Sequence, residues 1–293
     1  MSRSFTGSVA YPITLLVIAM ISIQTGATIA KSLFPITGAP GATALRLLFA
    51  ALILLIVFRP WRMMPQGRAW RSLILYGAAL GGMNLLYYMA LRTLPLGVAI
   101  ALEFTGPLLV AILGSRRLLD FLWVILAIAG LLLLLPIGLG ASDIDPVGAA
   151  YALGAGAFWA GYILFGKKAG GDHGANSVAW GTVFAALIIV PVGVVDAGAA
   201  LFTPAAIPLA LGVAVLSTAF PYSLEMVALT RMPARVFGTL MSIEPAIGAV
   251  SGLIILGERL ATVQWAAIAA IVAASLGAAL TIGEKTAPVP VAD

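Results

Sequence analysis

The chain has 293 residues, 62% of them hydrophobic and only 9% charged, and its mean hydropathy is +1.11. Soluble domains average about 45–50% apolar and about 25% charged residues, so one soluble core cannot bury this chain, and its composition is equally far from that of a disordered one. There is no cysteine and one histidine, His173, which excludes disulfides, thiolate nucleophiles and multi-histidine metal centres; no metal and no cofactor are expected. The net charge of +5 is carried by basic residues scattered singly and in pairs between apolar runs. Nucleic-acid binders instead cluster them on one exposed face, so no nucleic-acid partner is expected. The chain reads as an integral membrane protein with the lipid bilayer as its solvent.

A helix crossing a hydrocarbon core of about 30 Å needs about 20 residues. Apolar runs bounded by proline, glycine and charge give ten spans in chain order: Pro12–Phe34, Ala42–Phe58, Leu73–Leu91, Gly97–Gly114, Phe121–Leu139, Val147–Phe165, Val178–Val195, Pro208–Ala228, Val236–Leu256 and Thr262–Ile282. The first is broken by Gln24, Thr25 and Thr28 and lacks the short apolar stretch and cleavage site of a signal peptide, so it reads as a span. The tail 284–293 reads as a frayed end. One set of loops and ends holds twelve basic residues: Arg3, Arg59, Arg62, Arg68, Arg71, Arg116, Arg117, Lys167, Lys168, Arg231, Arg235 and Lys285. The opposite set holds three, Lys31, Arg92 and Arg259. Cytoplasmic loops carry the excess of Lys and Arg, which puts both termini in the cytoplasm.

Shifting the chain against itself by 138 positions aligns Ala90, Leu91, Pro95, Val98, Leu102, Pro107, Ala111, Gly114 and Leu118 with Ala228, Leu229, Pro233, Val236, Leu240, Pro245, Ala249, Gly252 and Leu256. The paired prolines are the informative part, since apolar composition alone inflates chance matches. The shift carries the fourth span onto the ninth, and an odd number of spans per repeat turns the second unit over. Inverted repeats with interrupted helices around a midplane site are a recurrent design of secondary transporters. The expected fold is therefore an all-α membrane protein. Its ten transmembrane helices form two inverted five-helix repeats, residues 1–140 and 145–283, around a central cavity.

A charge at the centre of a transmembrane helix costs on the order of 2.5–3.5 kcal/mol on insertion scales. Arg46, Glu103, Glu225 and Glu244 are therefore the candidates for function, with Lys31 nearer a span end, where it can snorkel. Arg46, about one turn inside the second span, can do either. Pro107 cannot donate to the carbonyl of Glu103, nor Pro245 to that of Met241, and 103 and 241 correspond under the shift. These helix breaks suit an ammonium group or a proton; a neutral glutamate joining two helices is the structural alternative. Glu225, six residues before Arg231, fits a gate or an interface residue. The polar and aromatic groups beside them are Gln24, Thr25, Asn84, Tyr87, Tyr88, Thr105, Trp159, Tyr162, Tyr222 and Ser242, of which Asn84, Tyr87, Tyr88, Thr105, Trp159, Tyr222 and Ser242 are the site candidates, although Tyr and Trp near span ends often mark the interface belt. His173 reads as a solvated loop residue. Stripes of small residues, Gly148, Ala152, Gly156 and Ala160 in one span and Ala266, Ala270, Ala274 and Ala278 in another, suit close helix packing, within the bundle or between subunits.

The Ala44-Leu45-Arg46 start of the second span, Tyr87 through Pro95, the Glu244-Pro245 step and Leu256-Gly257-Glu258 carry a resemblance over nearly the whole chain to EamA-type exporters of the drug/metabolite transporter superfamily. Within that group the chain is similar to bacterial inner-membrane exporters of threonine and homoserine. The resemblance implies efflux of small hydrophilic amino acids, with protons as the coupling ion, through a cavity lined by spans 1, 3, 4, 6, 8 and 9. For such a zwitterion, Arg46 or Lys31 suits the carboxylate, Glu103 or Glu244 the ammonium, and Asn84, Thr105 or Ser242 the hydroxyl. Gly106-Pro107 stands where the second repeat has Glu244-Pro245, so the two acids need not play symmetric roles. An exporter of another metabolite or of drugs is the near alternative. A membrane enzyme is the distant one, and it lacks clustered catalytic groups. A passive channel lacks a ring of like charges or a filter sequence.

Overall fold

In hydrocarbon every backbone N–H and C=O needs an internal partner, and the described residues of this chain meet that demand with helices. The computed structural model describes residues 10–67, 69–113, 118–134, 145–234, 237, 240–259 and 261–283, and no strand occurs among them. The helices are α1 (Ala10–Lys31), α2 (Phe34–Phe58), α3 (Ala69–Ala90), α4 (Leu96–Glu103), α5 (Thr105–Leu113), α6 (Leu118–Leu134), α7 (Pro146–His173), α8 (Asn176–Ala197), α9 (Ala206–Ala214), α10 (Phe220–Arg231), α11 (Glu244–Ser251) and α12 (Thr262–Gly283). Six stretches are long and apolar enough to cross a membrane, among them Asn176–Phe202 and the α9–α10 rod Ala206–Arg231, and four shorter apolar helices accompany them. Arg3, Arg68, Arg116, Arg117, Arg235, Lys285, the end of the fifth expected span and the tail 284–293 lie outside the described residues. Large aliphatic side chains point outward, Ile56 at 68%, Val195 at 88% and Ile254 at 75% exposure, while Arg46 and the intramembrane glutamates are buried. That is the polarity a bilayer imposes.

Prolines and glycines decide where the rods bend. The second span begins at Phe34, not Ala42 as the punctuation by Pro35, Gly38 and Pro40 suggests. Pro35 sits in the first turn, where a missing N–H breaks no helical bond. Gly38 takes φ 68° and ψ 172°, a kink that lets the helix resume past Pro40. Arg46 consequently lies in the middle of α2 rather than one turn from its end, too deep to snorkel. Ahead of α10, residues Val215–Ala219 form a π-helical turn followed by Pro221. There the carbonyl of Leu216 accepts from Ser22 Oγ of α1 at 2.6 Å. Gly26 lets α1 approach, since a Cβ there would lie 2.6 Å from Ser217 Oγ.

The fourth span breaks at Phe104, between α4 and α5. Its neighbour α7 comes so close that a Cβ on Gly156 would stand 2.7 Å from the Glu103 carbonyl oxygen and 2.5 Å from Thr105 Oγ1. A Cβ on Gly106 would overlap the Gly156 carbonyl. The small-residue stripe of α7 is thus used inside the chain. Elsewhere α3 packs on α7, α1 on α10, α2 on α8, α4 on α11 and α6 on α12. At one end of the bundle Lys31 Nζ pairs with Glu258 Oε1 at 2.8 Å, and Glu258 Oε2 accepts the Leu96 N–H at 3.0 Å. Asp145 caps α7 by accepting from Gly148 N at 2.9 Å and Val147 N at 3.2 Å, and it also accepts from Thr93 Oγ1 at 2.8 Å. At the other end Lys167 Nζ donates to the carbonyls of Leu229 and Met232 at 2.7 and 2.6 Å, closing the C-terminus of α10.

Gly106→Ala should lower the melting temperature of the detergent-solubilised protein, because forcing a methyl into a packed contact costs about 1–3 kcal/mol; unchanged melting would mean that α5 and α7 can separate freely. The hydrogen bond from Thr93, with those from Gly148 and Val147, holds the Asp145 carboxyl below its ordinary value of 3.8. A depressed carboxyl stabilises the fold above that ordinary value and ceases to do so as pH falls through its folded one. Asp145→Ala should therefore melt earlier than the parent at neutral pH and converge with it in acid, as followed by thermal denaturation across pH.

Candidate functional site

Where α1, α2, α3, α7 and α10 converge on the ends of α4 and α11, they leave a pocket of about 400 Å³, its mouth included. Its walls are Ile23 and Gln24 of α1, Arg46 of α2, Met83, Asn84 and Tyr87 of α3, Glu103 of α4, Trp159 of α7, Tyr222 and Glu225 of α10, and Glu244 of α11. Three main-chain irregularities serve it. The break at Phe104 ends α4 on Glu103, the 3₁₀ turn Met241–Ile243 starts α11 on Glu244, and the π turn precedes Tyr222 and Glu225.

The pocket gathers one base and three acids, each at most 6% exposed. The Arg46 guanidinium lies 4.4 Å above the Tyr88 ring, while its Nε and Nη2 are buried without a hydrogen-bond partner. Glu244 Oε1 accepts from Gln24 Nε2 at 2.7 Å and Glu225 Oε2 accepts from Tyr162 Oη at 2.7 Å. The second oxygen of each, Glu244 Oε2 and Glu225 Oε1, is buried and unpartnered. Glu103 makes no hydrogen bond or ion pair among the described residues; its charged neighbours are Glu244 and Arg46. Tyr222 Oη donates to Asn84 Oδ1 at 2.9 Å, and Asn84 Nδ2 donates to the Leu80 carbonyl at 2.7 Å. A buried polar group without a partner forfeits about 1–3 kcal/mol, and more when charged. Opposite charges left unpaired around one hollow therefore suit a ligand that brings both signs.

Of the residues singled out from the sequence, Arg46, Asn84, Tyr87, Glu103, Trp159, Tyr222, Glu225 and Glu244 line this pocket. Lys31 does not: it is tied to Glu258 near the end of the bundle. Tyr88 lies behind Arg46 as its stacking partner. Thr105 turns away and donates to the Leu102 carbonyl at 2.8 Å. Ser242 belongs to the 3₁₀ turn, and its side chain lies outside the described residues. Pro107 and Pro245 sit in the first turns of α5 and α11, just past the two breaks. Gln24, named from the sequence beside the acids but not counted as a site candidate, also lines the pocket; an amide in the middle of an apolar helix is the signal that finds it. Ile23 and Met83 carry no such signal.

Residues 146–280 match the EamA-like transporter family. The threonine/homoserine exporter RhtA of Salmonella typhimurium (strain SL1344) is 59% identical over 271 residues, 92% of this chain and 92% of that protein. The RhtA exporter of Escherichia coli (strain K12) is 57% identical over 275 residues, covering 94% and 93%. The chain belongs to the EamA-like transporter family. One solved crystal structure, 17% identical, superposes with a TM-score of 0.67 over 94% of this chain and 99% of its own length, a likeness of fold.

In this EamA-like transporter, Arg46 is a charge retained at a cost in stability. Replacing a buried ion pair by apolar side chains of similar volume is often neutral or stabilising by about 1–4 kcal/mol, whereas removing one member of a pair is destabilising, and Arg46 makes no ion pair among the described residues. Arg46→Met should accordingly melt no earlier than the parent in detergent. Early melting would mean that the guanidinium holds the fold together through partners.

Proposed function

We propose that this EamA-like transporter exports threonine and homoserine across the bacterial inner membrane by alternating access, in exchange for protons. Identity of 57–59% over more than nine-tenths of the chain to exporters of those two amino acids supports the substrate class. The observation that carries the reading is the Arg46 guanidinium, with Nε and Nη2 unpartnered, sharing one pocket with three buried glutamates. Arg46 takes the substrate carboxylate through its two free N–H groups. Glu103 and the open oxygen of Glu244 take the ammonium, Asn84 and Tyr222 meet the side-chain hydroxyl, Tyr87 and Trp159 wall the pocket, and Glu225 serves coupling. Three acids against one base leave excess negative charge that protons neutralise when no substrate ammonium is present.

For alternating access the two halves, 1–140 and 145–283, act as inverted five-helix modules within ten spans, both termini cytoplasmic. A shift of 138 residues carries α1 onto α7, α2 onto α8, α3 onto the α9–α10 rod, α4–α5 onto the stretch containing α11, and α6 onto α12. The packing respects that exchange, since α3 on α7 is mirrored by α10 on α1, while α2–α8, α4–α11 and α6–α12 each map onto themselves. Asn84 and Tyr222, hydrogen-bonded to each other, are 138 positions apart.

Proteoliposomes loaded with unlabelled threonine or homoserine should take up the labelled amino acid by counterflow, and an imposed pH gradient should drive net transport. Glu103→Gln, normally inserted, should lose about tenfold or more of the exchange, what one charge-assisted hydrogen bond supplies. Failure of the parent to exchange either amino acid would refute export of this class; undiminished exchange by Glu103→Gln would remove Glu103 from the site.

A further inference from the structure

We infer that Glu225, held by Tyr162, carries the coupled proton at the part of the pocket away from the groups that receive the amino acid. The inference rests on the exchange of amino acid for protons proposed above and assigns the proton to one of three acids. Glu225 lies one helical turn beyond Tyr222 towards Arg231, about 4.5 Å along the axis. Its surroundings differ from those of the other two. Tyr162 of α7 donates to Oε2 at 2.7 Å, and Oε1 is buried without a partner. The ring of Tyr162 packs on Tyr76 of α3 at 5.3 Å and on Tyr222 of α10 at 5.9 Å between centroids, and the Tyr76 hydroxyl is likewise buried and unpartnered.

Every element packed around Glu225 agrees. From α3 it faces Tyr76, from α7 Tyr162, from its own helix Tyr222, and from α11 the Glu244 carboxyl. The ionisable side chains of α1 are Tyr11 and Lys31 at its ends, and that of α8 is Asp196 near its far end. Arg46 of α2 shares the pocket but stacks on Tyr88 and neighbours Glu103 and Tyr222. No cation pairs with Glu225 among the described residues. A carboxyl ringed by phenols keeps the Tyr162 bond whether it is ionised or protonated. A substrate ammonium, by contrast, needs several acceptors, which Glu103 and Glu244 supply near Arg46. Gln24 and Tyr162 are themselves related by the shift of 138 residues, so the first helix of each half donates to one glutamate.

The step is a proton transfer: Oε1 takes a proton from water on one side of the membrane, forming an O–H bond, and returns it to water on the other. Glu244 supplies the coupling. An ammonium arriving at Glu244 brings positive charge into the pocket that Glu225 also lines and expels its proton, an effect amplified where the dielectric is low. The proton and the amino acid are therefore loaded alternately.

The test uses the full chain in proteoliposomes, with threonine counterflow at equal pH, threonine movement under a pH gradient, and a trapped pH dye reporting protons moved by a threonine gradient. In Glu225→Gln, gradient-driven accumulation and the dye signal should fall far more than counterflow does, whereas Glu103→Gln should lower counterflow itself. Tyr162→Phe should keep counterflow and displace the pH midpoint of driven transport. Gradient-driven accumulation by Glu225→Gln at the parent level would overturn the assignment, as would loss of counterflow matching that of Glu103→Gln in a folded protein. If Glu225→Gln does not fold, an unaltered pH midpoint in Tyr162→Phe overturns it. A parent that exchanges threonine without moving protons also overturns it but leaves export standing, whereas a parent that exchanges nothing refutes the function itself.

Discussion

Four ionisable side chains meet around one hollow inside a bundle whose outer surface is oil, and no ion pair among the described residues neutralises them there. That is the constraint around which the architecture is arranged. Each charge is expensive at membrane depth, so the helices that carry them must bring their polar faces inward and turn their aliphatic faces to lipid. The remaining polar groups of the pocket are placed to soften the expense without cancelling it: Gln24 and Tyr162 each satisfy one oxygen of a glutamate, and Tyr88 spreads under the guanidinium. What stays unsatisfied is left for a ligand.

The backbone is bent to the same end. A straight helix exposes no main-chain polar groups and lets side chains drift by only one turn at a time, whereas a break redirects the side chain at its edge. Phe104, the 3₁₀ turn before Glu244 and the π turn before Pro221 each stand next to a pocket residue. Glycines at the points of closest approach, Gly26, Gly106 and Gly156, let the neighbouring helices come close enough to shelter the irregular segments. Away from the pocket, Glu258 binds both Lys31 and the first N–H of α4, while Asp145 binds Thr93 and the start of α7. These ties fasten the helix ends that flank the hollow and explain why Lys31, a costly charge by its sequence position, is absent from the pocket.

Much of the molecule was legible in the order of its residues. Apolar runs of span length, separated by proline and charge, announce membrane helices, and Glu103, Glu225 and Glu244 announce themselves by being out of place in them. Arg46 was found in the same way, although its depth was misjudged, because Pro35 and Pro40 look like a boundary and act as a first turn and a kink. Gln24 was named beside the acids but not counted into the site, because an uncharged amide stands out less than a carboxylate. Thr105 and Tyr88, close in sequence to true pocket residues, point elsewhere, since neighbours on a helix face different directions.

The sequence by itself determined that this chain is a helical membrane protein, which segments are apolar enough to be buried in lipid, and which side chains are too costly to lie there without purpose. Those are sums over individual residues, and transfer free energies are properties of residues taken one at a time. Only the tertiary structure decided that Arg46 and three glutamates share one pocket, that Lys31 belongs to Glu258, and that Tyr162 rather than a cation attends Glu225. Hydrogen bonds and Coulomb forces act over a few ångströms in space, and helices distant in sequence come within that range only once they have packed.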